Sequence, residues 1–210
     1  MKVKVCGITT LEDAEAAVAL GADALGFNFC RTSPRFLDPA AARKIVRRLP
    51  PFVARVGVFA DEADPSEVER RASESGVTVI QLHGCESAEY CRRLRGRILI
   101  KALSIGPGFD PRAAGEFPVQ ALLLDSHPEG GSGGTGRTFD WELAAGLGSI
   151  AVPVIVAGGL SAANVAAAIR RFRPYAVDVC SGVEREPGRK DADKLRAFMA
   201  EVRNAADEGI

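Results

Sequence analysis

A closed parallel α/β barrel of the (β/α)8 type is predicted by three observations. Eight short apolar segments recur along the chain, amphipathic stretches separate them, and the unit repeats roughly every 26 residues, which fits a barrel near its lower length limit. The apolar segments are residues 2–6, 23–29, 53–59, 77–82, 97–102, 120–125, 153–157 and 175–180, each rich in Val, Ile, Leu or Ala, and each reads as a buried strand. Helical spacing runs through Leu11 to Leu20, Ala40 to Leu49, Pro65 to Ala72, Ser87 to Leu94, Ala162 to Phe172 and Lys190 to Val202, with a shorter pattern at Pro111 to Phe117. Gly21, Gly76, Gly96 and Gly148 follow helical patterns where a left-handed closing residue is wanted. Thr9 or Thr10, Asp64, Ser87 and Ser161 stand where helices should begin and are the expected N-caps. An open doubly wound sheet is the structural alternative, but it usually carries a glycine-rich first turn. Here the first turn is Cys6-Gly7-Ile8-Thr9, and the glycine pair comes late, at Gly158-Gly159.

Composition narrows the function classes. The 210 residues show no compositional break and read as a single domain, 1–210. Lys plus Arg and Asp plus Glu both number 27, so no overall field draws the protein to nucleic acid or to an anionic membrane. No apolar run approaches the ~18 residues of a spanning helix, and the first residues lack a signal peptide's apolar core, so a cytoplasmic location is expected. Five cysteines, an odd number without a CxxC pair, argue against a disulfide framework and a structural zinc site. Cys85 and Cys91 read as unpaired surface or half-buried thiols. Balanced charge fits a monomer, whereas apolar patches on the outer helices would fit a homodimer, and both states are compatible with the sequence.

Chemistry enters through polar residues inside apolar strands. Side chains alternate along a strand, so if Cys6 faces the barrel axis, Lys4 and Lys2 face it too, while Val3 and Val5 pack against helices. Strand ends form the active face of such a barrel, and a thiol there near Lys4 and a helix N-terminus is a candidate reagent. The plain alternative is that Cys6 is a small apolar core residue. In the fourth strand Val79, Gln81 and His83 share the inward face. The sixth strand is apolar until Asp125, which is either a site acid or a loop anchor. The following stretch, Ser126 to Asp140, holds five glycines and would suit a loop that closes over a ligand. Asp178 reads as a structural partner for an inward lysine or a backbone amide.

An anion site is expected where the loops after strands seven and eight meet, because free backbone amides and a helix dipole cradle phosphate there. Gly158-Gly159 and Ser181-Gly182 occupy those two loops. Arg35, in Ser33-Pro34-Arg35 after the second strand, is a candidate fork for a carboxylate, or simply a solvated charge.

Several segments in order resemble the phosphoribosylanthranilate isomerase family, a TIM barrel family. They are Lys4 to Thr9, Gly21-Ala22-Asp23 with Gly26-Phe27, Ser33-Pro34-Arg35, Val56 to Phe59, Gln81 to Gly84 and Leu124-Asp125-Ser126. They continue through Gly133 to Gly136 with Phe139-Asp140-Trp141, Ala157 to Leu160, and Ser181 to Glu184 with Gly188, Lys190 and Asp191. The resemblance implies an Amadori rearrangement of a small phosphorylated aminosugar substrate, in tryptophan biosynthesis, with no cofactor and no metal. It implies Asp125 as general acid, Cys6 as general base, Arg35 as the carboxylate contact, and Gly158, Gly159, Ser181 and Gly182 as the phosphate cradle. Cys180 departs from the serine the family often has there, and Cys30-Arg31-Thr32 replaces a variable stretch. His83 matches in position and is read as polar core or site lining, without a proton-transfer role.

Two rivals follow from the same residues. A metal-dependent phosphosugar epimerase would use His83 and Asp125 as ligands, but the chain has two histidines and no HxH spacing. A catalytically silent barrel would keep the anion cradle and lack turnover.

Overall fold

The computed structural model describes residues 1–94, 96–105, 109–125 and 151–207. Its centre is a closed barrel of eight parallel strands in sequential order, β1 to β8. They are β1 (Lys2–Val5), β2 (Ala24–Asn28), β3 (Ala54–Phe59), β4 (Val79–Leu82), β5 (Ile98–Ser104), β6 (Ala121–Asp125), β7 (Val154–Val156) and β8 (Ala176–Val179). The ring closes where β1 pairs with β8, Lys4 beside Asp178 and Val5 beside Val179. Every predicted strand is present, so the open-sheet alternative is set aside.

Among the described residues the helices are α1 (Leu11–Ala19), α2 (Pro39–Val46), α3 (Pro65–Ser75), α4 (Ala88–Arg93), α5 (Pro111–Ala114), α6 (Val165–Phe172) and α7 (Ala192–Asp207). Three start as expected: Thr10 Oγ1 accepts from Asp13 N–H, Asp64 Oδ1 from Ser66 N–H and Ser87 Oγ from Tyr90 N–H. Gly76 closes α3 in the left-handed region at φ 79°. Gly21 and Gly96 also have positive φ, and Gly148 lies outside the described residues.

Two boundaries differ from expectation. Ser161 does not open α6, which begins at Val165; Ser161 N–H instead donates to Asn164 Oδ1, and Asn164 Nδ2 to Gly159 O. Residues 161–164 therefore brace the turn after β7, and that local bonding competes with helix. Lys190 does not begin the last helix. It pairs in a small antiparallel hairpin, β9 (Glu184–Glu186) with β10 (Arg189–Lys190), and Asp191 Oδ1 then caps α7 by accepting from Asp193 and Lys194 N–H.

Strand alternation sorts side chains into two cores. Outward residues such as Val3, Val5, Leu25, Phe27, Ile80, Leu82, Leu122 and Leu124 join the helices in the larger core. Inward Val56, Val79, Ile100, Ala102, Ala121, Leu123, Ile155, Ala157 and Ala176 fill the barrel. This parity carries Cys6, His83, Asp125, Asp178 and Cys180 to the C-terminal mouth. Gly26 on β2 makes room for them: a Cβ there would stand 2.8 Å from Cys6 Sγ and 3.2 Å from Lys4 Cε. Lys2 shares this inward parity and lines the N-terminal opening of the barrel. It sits at the N-terminal rim, mostly exposed, and donates to Asp23 Oδ1 at 2.7 Å. Cys91 is fully buried rather than superficial, while Cys85 is exposed.

An ion pair that sequence parity hides lies outside the barrel. Lys101 on β5 faces outward, yet it is buried because its ammonium donates to Gly84 O at 2.6 Å and to Glu86 Oε2 at 2.9 Å. Glu86 also accepts from Asp61 and Gly84 N–H. A buried charge survives only with such pairing, and here it pins the turn that carries His83.

Candidate active site

A cavity of about 280 Å³ opens at the C-terminal mouth, and Cys6, Arg35, His83, Asp125, Asp178 and Cys180 all contribute to its wall. Gly158, Gly159 and Ser181 line it as well. Gly182 stands behind this wall, packed against Leu160. The structure therefore brings the sequence-predicted site residues to one mouth. The glycine-rich stretch Ser126 to Asp140 lies outside the described residues.

Cys6 extends β1 by one residue, its N–H donating to Val179 O at 2.8 Å. It is buried, and on the same inward face Lys4 donates from Nζ to Asp178 Oδ1 at 2.9 Å. Asp178 thus meets the inward lysine, as the sequence predicts. The neighbouring Cys180 thiol holds the Cys6 thiol well below its ordinary pKa; burial opposes this, and Lys4 and Lys190 assist it. Burial alone would lower Lys4, but Asp178 and Cys6 outweigh it and keep the ammonium charged. Burial pushes Asp178 up to about 7 against the pull of Lys4, and the neighbouring Cys6 adds to the rise. One buried ammonium is shared by two acids, so the carboxylate and the thiol compete for it.

Across the mouth, Asp125 ends β6 and is buried. His83 Nε2 lies 3.2 Å from Asp125 Oδ2, and Gln81 Nε2 lies 2.8 Å from His83 Nδ1. Gln81, His83 and Asp125 thus form one polar row running from the strand interior to the cavity wall. Asp125 stands beside an imidazole on the wall of the cavity. Gln81 and His83 are inward as predicted, but their link to Asp125 needed the spacing between β4 and β6.

The two glycine turns pack against each other. Gly158 and Gly159 have φ of 87° and 62°. A Cβ on Gly182 would fall 1.9 Å from Leu160 O, so the turns after β7 and β8 can touch only because residue 182 has no side chain. Ser181 to Val183 form a short 3-10 turn, and space is open around Gly159 on the cavity side.

Arg35 is neither a free fork nor a solvated charge. Its Nε and Nη2 grip Glu184, with Nη2 to Oε2 at 2.6 Å and Nε to Oε1 at 2.9 Å. Glu184 also accepts from Lys190 Nζ at 3.0 Å and Gly188 N–H at 3.2 Å. Burial pushes Glu184 up, yet Arg35 and Lys190 overcome it and hold the carboxyl below its ordinary range. Sequence reasoning assigned no role to Glu184 or Lys190. They sit in the charged stretch Glu184 to Lys190, whose composition looks solvated, and no local signal marks their burial.

Among the described residues, no group of three or more His, Cys, Asp or Glu side chains is arranged to hold a metal ion. A parallel eight-stranded barrel with a thiol and a carboxyl facing one cavity beside two interlocked glycine turns belongs to the class of barrel enzymes that handle small anionic substrates.

Comparison with known proteins makes the class specific. The family model described as "PRAI: N-(5'phosphoribosyl)anthranilate (PRA) isomerase" matches residues 3–201. An N-(5'-phosphoribosyl)anthranilate isomerase of Geobacter sp. (strain M21) is 50% identical over 205 residues, covering 96% of this chain and 98% of the relative. A crystal structure of phosphoribosyl anthranilate isomerase in complex with reduced 1-(o-carboxyphenylamino)-1-deoxyribulose 5-phosphate superposes with a TM-score of 0.87 at 40% identity, covering 97% of this chain and 99% of the other. A structure of monomers generated from the dimeric enzyme of Thermotoga maritima gives 0.86 at 38% identity, with the same coverage. The chain belongs to the N-(5'-phosphoribosyl)anthranilate isomerase family.

Proposed function

We propose that the chain catalyses the Amadori rearrangement of N-(5-phosphoribosyl)anthranilate to 1-(2-carboxyphenylamino)-1-deoxyribulose 5-phosphate, the isomerase step of tryptophan biosynthesis. Residues 1–210 act as one cytoplasmic domain in this reading. The observation that carries it is the placement of Cys6 and Asp125 on one cavity wall, each with its own charge partners. Asp125 donates a proton to the furanose ring oxygen, the C1′–O bond breaks, and the anilino nitrogen lone pair forms the iminium. Cys6, as thiolate, then removes the C2′ proton. The C–H electrons form the C1′–C2′ double bond and the iminium π electrons return to nitrogen. The enolamine tautomerises to the ketone by gaining a proton at C1′ and losing one from the C2′ hydroxyl, and one proton returns through water from the Cys6 thiol to the Asp125 carboxylate, so no atom is gained or lost. The iminium is the electron sink, so the scheme needs no cofactor.

Arg35 is assigned to the anthranilate carboxylate. Since Glu184 takes its Nε and Nη2, the substrate is met by Nη1 and by the positive surplus of Arg35 and Lys190 over one carboxylate. Gly158, Gly159, Ser181 and Gly182 are assigned to the phosphate, whose oxygens would take the backbone amides of the two turns.

The opposite mouth bears on assembly. Met1, Phe52, Ile98 and Tyr175 are the exposed large apolar residues among those described, and the last three line a largely apolar cavity of about 420 Å³ at the N-terminal end of the barrel. With Phe52 almost wholly exposed beside that cavity, we assign this face to a homodimer contact, in keeping with the dimeric Thermotoga relative.

The direct test is conversion of freshly generated phosphoribosylanthranilate by the purified protein, in chelator and without added cofactor. Product should form rapidly, and Cys6→Ala and Asp125→Ala should each lower turnover by at least ~10²-fold while remaining folded. Near-normal turnover in either variant removes that residue from the mechanism; phosphate-ligand binding without wild-type turnover would identify a silent barrel.

A further inference from the structure

A second thiol stands beside Cys6 across the seam of the barrel. β1 and β8 pair in register at Val5 and Val179, and Cys6 N–H continues the ladder to Val179 O. Cys180 is therefore the next residue along β8 on the same inward face, about 5 Å from Cys6 by the spacing of neighbouring strands. Both residues line the cavity. Cys180 Sγ leans over the turn that follows Cys6, since a Cβ on Gly7 would stand 3.0 Å from it. The two side chains therefore stand side by side on one wall of the cavity.

The surroundings decide which sulfur keeps its proton. Cys6 faces Lys4 from its own strand, with Lys190 and Arg35 contributing positive charge from the far side of the seam. Asp178 on β8 opposes this but is itself tied to Lys4. Cys180 has the Glu184 carboxylate 3.9 Å from its sulfur, which disfavours a second anion there. That contact is long, and Glu184 is already served by Arg35, Lys190 and Gly188, so Glu184 is the weaker acceptor for the Cys180 proton. The titration directions agree: the interaction between the two thiols draws Cys6 down, and the same interaction with burial pushes Cys180 up.

We propose that Cys180 is a positioning residue for the isomerisation: its S–H donates to the Cys6 thiolate and holds that sulfur aimed into the cavity. The proposal rests on Cys6 being the base. It deepens that reading by assigning the neighbouring thiol a role in keeping the base ionised before substrate arrives. When Cys6 takes the C2′ proton, the bond loses its anionic acceptor and the Cys180 proton can turn to Glu184. No proton leaves Cys180 during the cycle.

Two readouts test it on the full chain: the pH midpoint for iodoacetamide alkylation of Cys6, located by peptide mass spectrometry, and the acid limb of kcat/KM. Cys180→Ala should raise both by about one pH unit or more, the scale of one hydrogen bond to a charged group. Cys180→Ser, which keeps a donor, should return both to within about half a unit of wild type. If Cys180→Ala does not fold, Cys180→Val is read in the same way. An unmoved alkylation midpoint in the donor-less variant, or a serine variant shifted as far as the alanine, would overturn the proposal. Wild-type protein without isomerase turnover would overturn the base reading and the role of Cys180 with it, even where the alkylation midpoint still shifts.

Discussion

Asp178→Asn separates two roles that the buried Lys4 plays. The amide keeps the shape of the carboxylate and an oxygen for the 2.9 Å bond from Lys4 Nζ, but it removes the negative charge. Asp178 and Cys6 lie on adjacent strands, one inward row apart, because Lys4 is the registered partner of Asp178. Two rises along the strand and one strand spacing across put their Cα atoms about 8 Å apart. At an effective dielectric of about 20, two unit charges at that distance repel by roughly 2 kcal/mol, or about 1.5 pH units. The variant should therefore ionise Cys6 more readily. Its alkylation midpoint and the acid limb of kcat/KM should both fall by about 1 to 1.5 units.

Stability gives a second sign to check. Asp178 is raised to about 7 in the folded state, so its favourable contribution is complete below the unfolded carboxylate pKa and is lost as pH rises through 7. The asparagine variant has no such group. Its denaturation midpoint should gain on wild type as pH rises from about 4 to about 7. A limb that stays in place, or moves upward, would refute the idea that the carboxylate and thiolate compete for one ammonium; an upward move would mean that Asp178 serves to aim Lys4 at Cys6.

Other expectations are simpler. Gly182→Ala places a methyl 1.9 Å from Leu160 O, so the glycine turns must part; binding of the reduced product analogue should weaken by about tenfold or more, with the circular dichroism spectrum retained. Unchanged affinity would take the turn after β8 out of the phosphate site. Glu184→Gln leaves Arg35 and Lys190 without their shared anion and should cost about 2 to 4 kcal/mol in chemical denaturation at pH 7. Because Glu184 is held below its ordinary range, its stabilisation is present above the unfolded pKa and fades as pH falls through the folded value, so the gap to wild type should shrink in acid. Phe52→Glu should halve the sedimenting mass if the N-terminal mouth is a dimer contact, and a wild-type protein that sediments as a monomer would dismiss that contact.

Much of the fold was legible because strand and helix leave separate periods. The inward parity of Lys4, Gln81, His83 and Asp125 follows from alternation alone, once their strands are located. So does the destination of Cys6, since the ends of parallel strands gather at one mouth. Helix starts were less legible. Ser161 and Lys190 looked like the opening residues of helices, but one joined a braced turn and the other a hairpin, and local patterns cannot tell these uses apart.

The amino-acid order by itself determined the barrel, the chemical types at its mouth, and the two glycine turns where an anion would sit. Only the tertiary structure decided how these groups are paired. Arg35 and Glu184 are 149 residues apart, and Lys4 and Asp178 are separated by 174. Nothing local marks either pairing. Closure of the ring brings β8 beside β1 and desolvates their charges, and burial then makes each charge depend on its partner. For the same reason the cysteine at position 180 shows in the chain only as a departure from a frequent serine, yet beside Cys6 it becomes part of the cavity wall.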